Sequence, residues 1–156
     1  MDARSSTYQI DARTAEEGVS LATCKSALPI SFDTSPGQSE DRFGPAELLA
    51  ASLAACLLKN LARLAPKMRF RYDGATVHVT AFREDAPPRI SRLEYTLRIR
   101  SDESREQVDR LADHLRRYST VFNTLSKACP IDGKVVAVPT ENGAAEAAPV
   151  AQGGAR

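Results

Sequence analysis

The stretch from Leu48 to Leu58, Leu-Leu-Ala-Ala-Ser-Leu-Ala-Ala-Cys-Leu-Leu, constrains this chain most, because Ser52 is its one polar residue. Gly44 before it can cap a helix, Pro45 suits the first helical position, and Glu47 favours the positive end of the helix dipole. Lys59, Asn60 and Arg63 restore polarity, and Pro66 is expected to stop the helix. A helix apolar on nearly all sides is a buried one. The apolar run falls short of the ~18–20 residues a membrane span needs, so no membrane partner is expected. The fold must therefore be built around this helix, whose alanines let other elements approach closely.

The flanking patterns are those of strands. Tyr8 and Ile10, then Val19 and Leu21, then Leu28, Ile30 and Phe32 alternate with polar neighbours, the period-two signal of half-buried strands. Glu16-Glu17-Gly18 reads as a turn, and residues 33–43 as a polar loop. After the helix, Ala75, Val77, Val79 and Ala81 form one alternating run, and Leu93, Tyr95, Leu97 and Ile99 another. Met68, Phe70 and Tyr72 alternate in the opposite phase, which predicts a bulge or turn at Asp73-Gly74. Ser101 or Asp102 is expected to cap a second helix with Val108, Leu111, Leu115 and Tyr118 on its apolar stripe. A short third helix is expected from Thr120 to Ala128, ended by Pro130, with a last strand from Val135 to Val138. The order β-β-β-α-β-β-α-α-β predicts an α+β fold with a mainly antiparallel sheet. One domain over 1–139 is expected, with 140–156 a biased, disordered tail.

Charge and composition narrow the partners. Lys plus Arg is 21 and Asp plus Glu is 20, a net charge of +1 with no strong basic cluster, which argues against nucleic acid. The N-terminus has no apolar signal segment, and three cysteines, an odd number, fit a cytoplasmic location better than a disulfide framework. None lies in a CxxC pair and both histidines, His78 and His114, are distant from them in sequence, so neither a metal nor another cofactor is expected. Both histidines read as solvent-exposed.

The cysteines carry the remaining chemistry. Cys56 lies on the apolar helix, where a free cysteine behaves as a small hydrophobe or, given a nearby cation, as a reactive thiolate. Cys129 ends the third helix, where negative charge is disfavoured, so it suits a resolving thiol better than an attacking one. Cys24, in polar company at a strand end, reads as a bystander. An attacking and a resolving cysteine together form the arrangement that reduces a peroxide through a sulfenic acid and a disulfide, although spacing alone does not bring these two together.

Gly44-Pro45-Ala46-Glu47-Leu48-Leu49-Ala50-Ala51-Ser52-Leu53-Ala54-Ala55-Cys56, followed by Ala128-Cys129-Pro130-Ile131, resembles the OsmC/Ohr family over roughly residues 6–138. The resemblance implies an OsmC-like α+β fold around a long central helix in an intertwined homodimer, with two sites at its interface. It also implies reduction of organic hydroperoxides, with Cys56 attacking, Cys129 resolving, an external dithiol as reductant and no cofactor. Two features depart from the pattern. Ala46 stands where the family has glutamate after the proline, leaving Glu47 as the candidate acid, yet at ~100° per residue Glu47 and Cys56 point to opposite sides. The family's glycine-arginine turn is replaced by Glu16-Glu17-Gly18, leaving Arg13 and Arg42 as candidate cations without a motif match. The alternative is a non-enzymatic dimer of the same fold that binds an apolar small molecule.

Overall fold

A computed structural model describes residues 6–24, 28–37 and 39–140. The elements follow the expected order: β1 (Asp11–Glu16), β2 (Val19–Thr23), β3 (Ile30–Asp33), α1 (Pro45–Met68), β4 (Gly74–Asp85), β5 (Pro88–Arg100), α2 (Arg105–Tyr118), α3 (Thr120–Leu125) and β6 (Ile131–Val138). The strands form two three-stranded sheets rather than one. The β1-β2-β3 sheet is antiparallel throughout, and in the β4-β5-β6 sheet the central β5 pairs antiparallel with β4 and parallel with β6.

Helix α1 is the axis of the core. Gly44 is its extended N-cap, Pro45 opens it, and Arg69 ends it in the left-handed region at φ 54° while Phe70 N–H donates to the Ala65 carbonyl. Leu53, Leu57, Leu61 and Leu64 form its buried stripe and pack with Leu93, Leu97 and Ile99 of β5 and Leu111 and Leu115 of α2. Each fully buried leucine contributes roughly 1.5–3 kcal/mol. By length and composition α1 could cross a membrane, but here it is the core helix against which β4, α2 and α3 pack.

Several boundaries differ from those expected, each for a local reason. Pro66 lies within α1, because proline in the last turn removes only one hydrogen bond and its fixed φ is helical. Met68 thus belongs to the helix, and Phe70 and Tyr72 to its connection with β4, not to a strand. Tyr8 and Ile10 precede β1 and are exposed. Ser104, not Ser101 or Asp102, caps α2 through a reciprocal box with Gln107. Ser101 is instead buried, its hydroxyl bonded to the Arg71 carbonyl. Strand β6 begins at Ile131 because its parallel register with β5 starts there. Of the expected tail, Thr140 bonds Asp102, and 141–156 lie outside the described residues.

The β1-β2-β3 sheet hardly touches the rest of the fold, and every residue of β1 is exposed. Asp33, at the end of β3, organises the loop that leads to α1. Its carboxylate accepts from the Ser35 and Ser39 amides at 2.9 and 3.0 Å. Hydrogen bonds from Ser35, and then from Ser39, hold the Asp33 carboxyl below its usual range. A depressed carboxyl pKa gives stability that is complete above the unfolded value of ~3.9 and lost as pH falls through the folded value. Asp33→Asn should therefore melt below the wild type at pH 7, and thermal melts at progressively lower acid pH should show the difference closing.

In the second sheet Tyr95 is paired with Gly133 and its ring lies directly over that glycine, so any Cβ there would meet the ring. The ring packs edge-on against Phe122, and the buried Tyr95 hydroxyl has no hydrogen-bond partner among the described residues. Overpacking costs about 1–3 kcal/mol, whereas removing an unpaired buried hydroxyl costs little or stabilises. Gly133→Ala should lower the chemical-denaturation midpoint, and Tyr95→Phe should leave it unchanged or raise it.

Candidate functional site

One residue breaks the apolar stripe of α1: Asn60, 7% exposed among the leucines. A buried amide without partners costs about 1–3 kcal/mol, and here every partner is supplied locally. Helical spacing places Cys56, Asn60 and Arg63 along one face as i, i+4 and i+7. The Asn60 amide nitrogen donates to the Cys56 carbonyl at 3.0 Å and toward Cys56 Sγ at 3.4 Å. Arg63 donates to Asn60 Oδ1 at 2.6 Å and toward the Tyr118 carbonyl at 3.5 Å. The guanidinium thereby sets which way the amide points and turns its nitrogen to the sulfur.

The second group on the sulfur is Ser119, whose Oγ lies 3.0 Å from Cys56 Sγ. Ser119 ends α2 and caps α3, and it is fully buried. As a cap it accepts from the Phe122 amide at 3.3 Å, leaving its own hydrogen free to donate to the sulfur. The half-buried Cys56 thus faces two hydrogen-bond donors with a fixed positive charge behind one of them. Donors and a nearby cation are the surroundings of a reactive cysteine rather than an inert one.

The hydrogen bonds to Cys56 among the described residues come from Ser119 and Asn60 and not from the other candidates. Cys129 is buried in the core cluster that also holds Leu53 and Leu57, just after the turn that follows α3, its amide donating to the Leu125 carbonyl. All three cysteines are free thiols. Glu47 is exposed in the first turn of α1, its carboxylate folded back over Gly44. That is nine residues, or roughly 13 Å of rise, from Cys56. Arg13 is exposed on β1, and Arg42 pairs with Asp41 at 3.3 Å. Cys24 is half-buried just after β2. His78 is exposed and bonds Thr80, but His114 is half-buried, its Nδ1 3.1 Å from Met68 Sδ. Among the described residues no group of three His, Cys, Asp or Glu side chains is placed to hold a metal ion.

Sequence reasoning missed Asn60, Arg63 and Ser119 as site residues. Asn60 had a signal: it is the polar residue inside the leucine stripe, one turn from Cys56. Ser119 had none, since a serine between two helices is adequately explained as a cap.

The comparisons place this geometry among known folds. The OsmC-like protein of Mycoplasma pneumoniae matches with a TM-score of 0.78 at 23% identity, over 86% of this chain and 99% of that one. The organic hydroperoxide resistance protein of Elizabethkingia anophelis matches at 0.61 and 16% identity, over 88% of this chain and 100% of that one. The organic hydroperoxide resistance protein OhrB of Bacillus subtilis matches at 0.57 and 19% identity, over 85% and 98%. At such identities these likenesses speak for the fold alone. None of the curated proteins compared matches the sequence. The model of the OsmC-like protein family matches residues 37–134, from the loop before α1 into β6 and through every residue of the cysteine site. The chain belongs to the OsmC-like protein family.

Proposed function

We propose that this protein reduces organic hydroperoxides, with Cys56 as the attacking thiol. The observation that carries the reading is the convergence of Ser119 and Asn60 on Cys56 Sγ with Arg63 behind the amide. Support also comes from the fold neighbours described as organic hydroperoxide resistance proteins. The sulfur anion attacks the outer peroxide oxygen, the O–O bond breaks, and the alkoxide leaves to collect a proton as the alcohol. Cys56 is left as a sulfenic acid; the resolving thiol, Cys129, attacks its sulfur, water leaves, and an external dithiol reduces the resulting disulfide. Arg63 and Asn60 orient and polarise the site, and the apolar surface of α1 favours a peroxide with an apolar tail.

The working unit is a homodimer. Ala51, Ala55, Leu58 and Ala62 repeat at helical spacing along an exposed apolar face of α1. The β1-β2-β3 sheet, with little of its own chain to pack on, adds a second surface of the same kind. A second copy covers both. Sedimentation should give twice the chain's mass, and Ala55→Glu, which sets a charge in that face, should give the monomer.

The test of the activity is one equivalent of cumene hydroperoxide added to the reduced protein, with peroxide consumption and trapping of the sulfenic acid followed together. Cys56 should be oxidised, Cys56→Ser should be inert, and Asn60→Ala should slow the reaction by about tenfold or more, the loss of one charge-assisted hydrogen bond. The alternative is a dimer that binds an apolar molecule without turnover, drawing on the exposed face of α1. A Cys56 thiol that persists alongside undiminished peroxide would favour it.

A further inference from the structure

We propose that the cavity between the C-terminal halves of α1 and α2 binds an amphiphilic carboxylate, an acyl chain with an anionic end, beside the Cys56 site. The cavity has a volume of about 390 Å³ and is lined by Arg63, Leu64, Lys67, Met68, His114 and Tyr118. That volume lies within the range of small-molecule sites. The lining divides in two. Leu64, Met68 and the Tyr118 ring offer apolar surface to a chain, and Arg63, Lys67 and His114 offer donors to a head group.

The charge around the cavity is one-sided. From Leu57 to Tyr72 the sequence carries Lys59, Arg63, Lys67, Arg69 and Arg71 and no acidic residue, although 21 basic residues are balanced by 20 acidic ones over the whole chain. No carboxylate lines the cavity, and neither Arg63 nor Lys67 is in an ion pair among the described residues. Lys67 in the last turn of α1 offsets the helix dipole, which accounts for one cation there but not for Arg63 on the same face or His114 opposite. Donors also remain free. Arg63 uses Nη2 on Asn60 and Tyr118, leaving the rest of its guanidinium to a ligand. His114 turns Nδ1 to Met68 Sδ at 3.1 Å and leaves Nε2 without a partner among the described residues.

Helical geometry ties the cavity to the thiol. At ~100° per residue, Cys56, Asn60, Arg63 and Lys67 fall on one face of α1, and Ala51, Ala55, Leu58 and Ala62 on the opposite face. The cavity therefore continues the face of the cysteine site and stays open when a second copy covers the alanines. Arg63 belongs to both. A carboxylate bound there sets a negative charge against the cation behind Asn60, so occupation of the cavity should slow the reactions of Cys56. The site stands whether or not Cys56 reduces a peroxide.

The experiment is calorimetric titration of the full chain with octanoate, with 1-octanol and acetate as controls, in the wild type, Lys67→Glu and His114→Gln. Alkylation of Cys56 by the neutral reagent iodoacetamide, followed by peptide mass spectrometry with and without octanoate, gives the second readout. Octanoate should bind once per chain, and both controls should bind at least about tenfold more weakly. Lys67→Glu should weaken octanoate by about tenfold and His114→Gln by about threefold. Bound octanoate should slow alkylation of wild-type Cys56 by about threefold. Octanol binding as tightly as octanoate would overturn the role of the cations, and acetate doing so would overturn that of the apolar lining. An affinity unchanged by Lys67→Glu would place the ligand elsewhere and overturn the site, and an alkylation rate unchanged at saturation would overturn the coupling through Arg63. Should His114→Gln fail to fold, Lys67→Glu, at an exposed position, decides the matter alone. A Cys56 that peroxide leaves unoxidised would end the peroxidase reading and leave this one standing.

Discussion

Everything in the second half of this fold is arranged around the burial of one face of α1. Leu53, Leu57, Leu61 and Leu64 set the line along which β5 and α2 pack. The site exists because that line is interrupted once. Placing Asn60 among leucines obliges the surroundings to satisfy an amide, and the groups that do so are a cysteine one turn back and an arginine one turn on. The reactive geometry is therefore a by-product of satisfying a polar group in an apolar seam.

The opposite face of the same helix explains the shape of the rest. Its alanines leave an apolar surface uncovered, and the first sheet is tied to α1 mainly through the loop that Asp33 organises. The apolar side of the central helix and the poorly packed first sheet are the two surfaces on which the proposed dimer rests.

Much of this was legible in the sequence because it rests on local periodicity. The element order, the inward face of β5 and the stripe of α2 follow from two simple spacings. The boundaries that differ do so for two kinds of reason. Pro66 and Ser104 turn on local geometry, a proline tolerated in the last helical turn and a capping box with Gln107, whereas the Ser101 hydroxyl is claimed by the distant Arg71 carbonyl. The split into two sheets was equally invisible, since alternation gives a strand its faces but not its neighbours. In the site, Cys56 stood out by its surroundings on α1, whereas Ser119 lies 63 positions away and meets it only through the packing of α3 on α1. Cys129 stands out as the remaining thiol in a recognisable context, whereas nothing in composition marks the alcohol of Ser119 as a neighbour of Cys56.

Ser119 is shared between two tasks. One hydroxyl accepts from Phe122 to begin α3 and also faces the sulfur of Cys56. An oxygen added to that sulfur must occupy space the hydroxyl now fills, or else take its hydrogen in a new direction. One buried hydroxyl therefore joins the sulfur on α1 to the first turn of α3 and, through Phe122, to the edge of Tyr95.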